Sequence, residues 1–373
     1  MARITTTTPA GRESIDALTS IRFLAAFYVL FFHAGASFFK DLFPSADLIN
    51  NFFRNGHLGV PFFFVLSGFI LAYTYEGKIG TALQWRRFAM ARFARVYPVY
   101  LLALLLMLPA IIPDASWRSL PQFLMLQYWV PRQSLNIFDN QNTPAWSLSV
   151  ELAFYLLFPL LMLLLARLGR TGVFLMGIAS AVVILVFRLP SLTAQVGPPF
   201  EILDYAPYMF LRVPEFLYGI CLGLVFRNKP ETFSSPRFLG IVSILTIIIL
   251  VSSTSVWVAG AATVLFGALI IAVASNRSPV VTRLLGHRYL VLAGAASYAL
   301  YILQTPVRYW MNLAFAGEHE LLVRVLYPPI LIILSVVVFK IFEEPVREWI
   351  RRRVGMPMSQ GAHVAEISTR QHS

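Results

Sequence analysis

Ten apolar runs constrain this chain more than any other feature. A hydrocarbon core about 30 Å thick is crossed by roughly 20 apolar residues in a helix, and runs near that length lie at about 18–39, 58–75, 96–113, 146–166, 172–188, 207–226, 238–253, 256–275, 289–315 and 323–342. Only Ser252 to Ser255 divide the block 238–275, and the ninth run is long enough to tilt or bend. Composition agrees: 58% of the 373 residues are hydrophobic and 13% charged, against about 45–50% and 25% in soluble domains. Too little polar surface remains to coat a globule in water. One cysteine, Cys221, excludes an internal disulfide framework. The sequence therefore predicts an all-α polytopic membrane protein, a bundle of about ten transmembrane helices over residues 1–350. A polar cytoplasmic tail at 351–373, expected to be disordered, follows. Ala34-Gly35-Ala36 imitates a signal-peptide cleavage site, but the long first run reads as an uncleaved anchor.

The formal net charge of +12 would point to nucleic acid in a soluble protein. In a membrane chain it records orientation, since cytoplasmic loops collect Lys and Arg. With the N-terminus inside, 21 of the 30 basic residues fall on inner segments, six on outer loops, and Arg22, Arg212 and Arg308 inside runs. This places both termini in the cytoplasm and predicts no nucleic-acid partner. The longest outer loop, 114–145, contains an apolar and aromatic stretch, Leu120 to Val130, placed to dip into the interface or to lid a cavity. There is no internal repeat, no phosphate-binding glycine loop, and no HExxH or paired CxxC spacing that would hold a metal.

Ionisable residues within the runs are functional candidates, because a charge at a helix centre costs about 2.5–3.5 kcal/mol on insertion scales. Arg22 and His33 are 11 residues apart in the first run. That is close to three full turns and about 16 Å along the axis, so they share a face. In the fourth run Ser147, Glu151 and Tyr155 form one polar stripe. Counted from the start of that run, Glu151 sits at a depth similar to His33. A carboxylate beside an imidazole would fix its tautomer and raise its basicity, as a general base acting on a hydroxyl requires. The competing readings are a satisfied bundle histidine and a glutamate paired with an arginine. Arg86, Arg87, Arg92 and Arg95 precede the third run. They read equally as positive-inside topology or as a site for a polyanion presented from the cytosol.

In combination these motifs resemble the membrane-bound acyltransferase 3 family, whose members O-acylate bacterial envelope glycans and some secreted products. The likeness covers nearly the whole chain. It rests on LTSIRFLAAFYVLFFHAG with Arg22 and His33, GVPFFFVLSGF with Gly59, Val60, Ser67 and Gly68, RFARVYP with Arg92, Arg95 and Pro98, and WSLSVELAFYLLFP with Trp146, Ser147, Glu151, Tyr155 and Pro159. Weaker support comes from RVPEFLYG, SYALYILQTP and FEEPVRE. Gln304 stands where members often carry histidine, which weighs against proton transfer by the ninth span.

The resemblance implies an O-acyltransferase of the bacterial inner membrane. It would move an acyl group, most often acetyl, from cytosolic acyl-CoA to an exopolysaccharide, lipopolysaccharide or lipid-linked oligosaccharide hydroxyl, or to a secreted small molecule such as a macrolide. It implies no bound cofactor or metal, with acyl-CoA as co-substrate and membrane lipid around the chain. His33 is expected as base, Glu151 as its orienting partner, Arg92 and Arg95 as phosphate ligands, and Arg22 along the acyl path; an acyl-His33 intermediate is an alternative. A proton-coupled transporter or flippase of a glycolipid or small anion is the rival class. Tyr128, Trp129, Trp146 and Tyr205 read mainly as an interfacial belt. Ser67 and Cys221 read as packing residues, and His57, His363 and His372 as incidental.

Overall fold

The computed structural model describes residues 9–42, 44–186, 205–228, 230–315 and 320–356. Among these it is all-helical, with no strand and a single isolated bridge between Pro131 and Pro207. The principal helices are α1 (Pro9–Leu42), α2 (Asp47–Arg54), α3 (Gly59–Tyr75), α4 (Ala82–Leu106), α5 (Ala145–Ala166), α6 (Gly169–Val186) and α7 (Val213–Asn228). They continue as α8 (Pro236–Ser252), α9 (Val256–Ser275), α10 (Arg288–Ala295), α11 (Ser297–Ile302), α12 (Gln304–Ala314), α13 (Glu320–Val338) and α14 (Glu344–Arg353).

Seven helical stretches are long and apolar enough to cross a membrane: Asp16–Gly35, Asp47–Tyr75, Ala82–Leu106, Ala145–Ala166, Gly169–Val186, Trp257–Ser275 and Leu321–Arg353. The expected count was ten. Each remaining run is helical but short or broken: α7 has 16 residues, α8 has 17, and 288–314 is divided into α10, α11 and α12. The third expected span, 96–113, is displaced. Helix α4 starts at Ala82, where Thr81 and Gln84 form a reciprocal capping box, and it ends at Leu106. Arg92 and Arg95 therefore lie within the helix rather than ahead of it. The division at 252–255 is real: α8 ends at Ser252, and the Ser255 hydroxyl accepts from the Val258 amide at the start of α9. The boundary expected at 350 falls inside α14, and the expected tail lies outside the described residues from 357 onward.

Contacts between helices sort the bundle into two ends. At one, Ser20 Oγ donates to the Leu285 carbonyl, and Arg227 pairs with Glu76 at 2.9 Å. At the other, Tyr28 OH donates to Phe52 O, Asn55 Nδ2 to Ser253 O, Arg308 to His33 O and Trp310 Nε1 to Leu106 O. The first is called the basic end below, because Arg86, Arg87, Arg167, Arg170 and Arg277 lie there.

The tightest crossing joins α3 and α7. A Cβ on Gly219 would stand 2.0 Å from Val65 O, one on Gly68 2.2 Å from Phe216 O, and one on Gly223 2.5 Å from Phe69 O. Gly219 and Gly223 form the small-xxx-small pattern that lets backbones meet in a bilayer. Phe154 of α5 stacks on Phe216 at 4.5 Å and continues the packed centre. Because Val65 O is backbone and cannot rotate away, Gly219→Val forces the two helices apart. We expect it to destabilise the protein by about 1–3 kcal/mol or more; unchanged thermal unfolding of the purified variant would contradict the crossing.

Loop 114–145 does not lie loosely in the interface. It folds into short helical turns fixed to the bundle at the end opposite the arginines: Tyr97 OH donates to Phe123 O, Tyr100 OH to Gln122 O, and Trp129 Nε1 to Ser149 O. Gln122, Gln127 and Asn142 of this loop are fully buried. The N-terminus of α5 starts below this cover, with Ala145 at 0% exposure.

Candidate active site

Helices α1, α3, α4, α5 and α11 enclose a cavity of about 190 Å³. Its polar lining consists of Arg22, Arg92, Arg95, Glu151, hydroxyl groups of Ser67, Ser147, Tyr155 and Ser297, and the rings of Tyr298 and Tyr301. The stripe Ser147, Glu151, Tyr155 turns as a unit into this space. Spacing at i, i+4 and i+8 makes that necessary once one member faces inward. Arg92 and Arg95, one turn apart on α4, enter from the other wall.

The carboxylate is held from two helices. Ser67 Oγ donates to Glu151 Oε1 at 3.3 Å, and Tyr155 OH donates to the same oxygen. Arg92 lies over the Tyr75 and Tyr155 rings at 5.7 and 6.0 Å and reaches Tyr75 OH at 3.5 Å. Its buried Nε has no hydrogen-bond partner among the described residues. Arg22 lies within electrostatic reach of Arg95 and Glu151, and Arg95 within reach of Arg92. Neither Arg22 nor Arg95 makes a hydrogen bond or ion pair among the described residues. Three guanidiniums against one lining carboxylate make a chamber with excess positive charge. The Ser147 and Tyr301 hydroxyls, 2.8 Å apart, both reach the Pro144 carbonyl.

His33 is not in this cavity. It sits in the half of α1 away from the basic end, beside Phe32 and within electrostatic reach of His57 and Arg308, whose guanidinium donates to its backbone carbonyl at 2.8 Å. The expected His33–Glu151 pair is not formed: no hydrogen bond joins them, and Glu151 keeps company with the arginines instead. Phe63 and Phe64 line the end of the cavity that faces His57 along α3, and Phe63 packs edge-on against Tyr301. Arg22 and His33 thus mark two separate levels of α1, as their spacing implies.

Sequence reasoning missed several residues. Ser67, read as packing, hydrogen-bonds Glu151; the available signal is a serine within the apolar, phenylalanine-rich stretch of α3. Tyr298 and Tyr301 of α11 were not singled out. Neither was the buried pair Arg212–Glu215, 2.9 Å apart, whose guanidinium lies over the Phe64 ring at 5.5 Å. Of the aromatic residues read as an interfacial belt, Trp146 and Tyr128, both half-buried, cluster with the buried Tyr208 at ring separations of 5.8 to 6.3 Å. Tyr205 is exposed. Burial pushes the Tyr128 phenol above its usual pKa, and its hydroxyl accepts from Asn140 Nδ2 at 3.4 Å. Gln304 is buried at 1% exposure, and neither polar atom of its side chain finds a partner among the described residues. No group of metal-ligand type occurs among the described residues.

These features describe an all-helical chain with seven helical stretches long and apolar enough to cross a membrane, and a chamber between helices lined by three arginines. The family model described as an acyltransferase domain matches residues 15–342, and the chain belongs to that family, the acyltransferase 3 family. It is 34% identical over 231 residues to the acyltransferase MdmB of Streptomyces mycarofaciens, covering 57% of this chain and 58% of that protein. It is 23% identical over 335 residues to the peptidoglycan O-acetyltransferase OatA of Listeria monocytogenes, covering 81% of this chain and 50% of the relative. The O-acetyltransferase OatA of Staphylococcus aureus is 23% identical over 328 residues, 79% of this chain and 53% of the relative. The chain thus spans about half the length of these curated relatives. No solved structure matches it.

Proposed function

We propose that this chain is an O-acyltransferase of the bacterial inner membrane, moving an acyl group, in the simplest case acetyl, from cytosolic acyl-CoA to a hydroxyl of an envelope glycan or lipid-linked oligosaccharide. One observation carries the reading: within an acyltransferase-family chain, Arg22, Arg92 and Arg95 converge on a single buried chamber. Guanidinium forks suit phosphates, and a low-dielectric setting strengthens the attraction. A polyanion would offset the positive charge that these three guanidiniums bring to one lining carboxylate. Two relatives named as O-acetyltransferases support both the acetyl group and a hydroxyl acceptor, and the name of one specifies peptidoglycan.

In this reading Arg92 and Arg95 hold the phosphates of the donor, and Arg22 lines the route by which its thioester arm reaches toward His33. An acceptor hydroxyl enters from the opposite end, past the Tyr128–Trp146–Tyr208 cluster. His33 takes the hydroxyl proton as the oxygen attacks the thioester carbonyl. The tetrahedral intermediate collapses with formation of the ester and cleavage of the carbon–sulfur bond, and the CoA thiolate takes the proton back from the imidazolium. Glu151 acts from the chamber, holding Ser67 and Tyr155 and balancing Arg22.

Deleting the gene is expected to remove an ester-linked, alkali-labile acyl group from envelope glycan or lipopolysaccharide, and the wild-type chain is expected to restore it. Unchanged ester content together with altered glycolipid export would favour a carrier and overturn the reading.

A further inference from the structure

Beside the arginine chamber lies a second carboxylate that the mechanism above does not use. Between α13 and α14 the helix widens into a π turn, Phe339–Glu343. Such turns insert one extra residue into a helix and occur often at functional sites. Here the turn directs Glu343 into the protein, at 1% exposure. Neither of its carboxylate oxygens has a hydrogen-bond partner among the described residues. Its nearest cation, Arg347, stands at 3.9 Å and is shared with Glu344 at 3.5 Å. Glu343 also lies within electrostatic reach of Arg95 and Arg22, both of which line the chamber.

A buried carboxylate without hydrogen bonds is costly, and nearby cations lower that cost only by remaining close. The empty chamber has the converse difficulty, because Arg22, Arg92 and Arg95 repel one another at low dielectric. Glu343 and Glu151 relieve it from two sides. Once a polyanion occupies the chamber it neutralises the same arginines, and Glu343 then faces the incoming phosphates as a like charge.

We propose that Glu343 is a positioning residue that serves as the resident counter-ion of Arg95 and Arg22, stabilising the unoccupied chamber and opposing retention of the CoA product. This rests on the donor reading above. A group that merely braces the fold would weaken binding when removed. A resident counter-ion would strengthen it.

The test is CoA binding to the purified full-length protein, read by titration and by thermal shift, with free coenzyme A as probe. Glu343→Gln is expected to tighten CoA at least about threefold, in keeping with loss of one repulsive interaction at intermediate dielectric. It should also lower the unfolding temperature of the empty protein while enlarging the upward shift that CoA produces. Glu343→Asp, which keeps the charge, should bind within about twofold of wild type on the same electrostatic grounds. If Glu343→Gln alone does not fold, the charge-balanced pair Arg95→Gln with Glu343→Gln takes its place, and it should bind CoA more tightly than Arg95→Gln alone. Equal or weaker CoA binding on loss of Glu343 overturns the counter-ion role while leaving the donor site in place. Wild-type protein that shows no CoA-dependent shift overturns the donor site and this role together.

Discussion

Replacing His33 with alanine is expected to leave the protein folded and the donor bound while lowering acyl transfer by about 10²–10⁴-fold, the range contributed by a positioned general base. The structural cost should be small. The His33 ring makes no hydrogen bond among the described residues, and its recorded tie to the bundle is its backbone carbonyl, which alanine retains. His33 is half-buried and does not line the chamber that holds the arginines. Donor KM should therefore move less than kcat. A turnover within a few-fold of wild type would remove His33 from the reaction.

Charge reversal in the chamber should act on the other parameter. A hydrogen bond to a charged group contributes about 1.5–3 kcal/mol, so losing one such bond from Arg92 or Arg95 corresponds to a rise of roughly 10–150-fold in donor KM. Arg92→Glu and Arg95→Glu also place a carboxylate where phosphates would lie, which adds repulsion. Arg86 and Arg87 supply the internal comparison, since they belong to the same basic run but are exposed. Arg86→Gln and Arg87→Gln should change donor KM by no more than about twofold, as expected of exposed, screened charges. Equal effects at all four arginines would mean that general positive charge, rather than the chamber, attracts the donor.

The helices and the polar stripe of α5 were legible because period and hydropathy are local properties of a sequence. The inward turn of Ser147, Glu151 and Tyr155 followed from their spacing alone. The His33–Glu151 pair failed for an identifiable reason. Depth was counted from the start of the fourth run as though that were the membrane boundary, whereas α5 begins beneath the folded loop 114–145 with Ala145 already buried. Glu151 consequently lies deeper than the count implied, at the level of Ser67. The third run misplaced Arg92 and Arg95 for a related reason: hydropathy places a boundary at the first dense charge, but α4 carries those charges into a chamber lined by Glu151 and several hydroxyl groups. The π turn that buries Glu343 has no periodic signature at all. It depends on what α13 and α14 pack against, and the Glu-Glu-Pro sequence there equally fits an exposed helix end.

The central claim is that this chain carries an acyl group from CoA at its arginine chamber to a hydroxyl by way of His33. Its most direct test uses sealed inverted vesicles containing the full chain, with radiolabelled acetyl-CoA supplied to the outward-turned cytosolic face and alkali-labile label measured on envelope glycan or lipid-linked oligosaccharide. The expected result is incorporation by wild type that falls by about 10²–10⁴-fold in His33→Ala and that Arg92→Glu approaches only at high donor concentration. Incorporation that persists unchanged in His33→Ala, or none by the wild-type chain, would contradict the account.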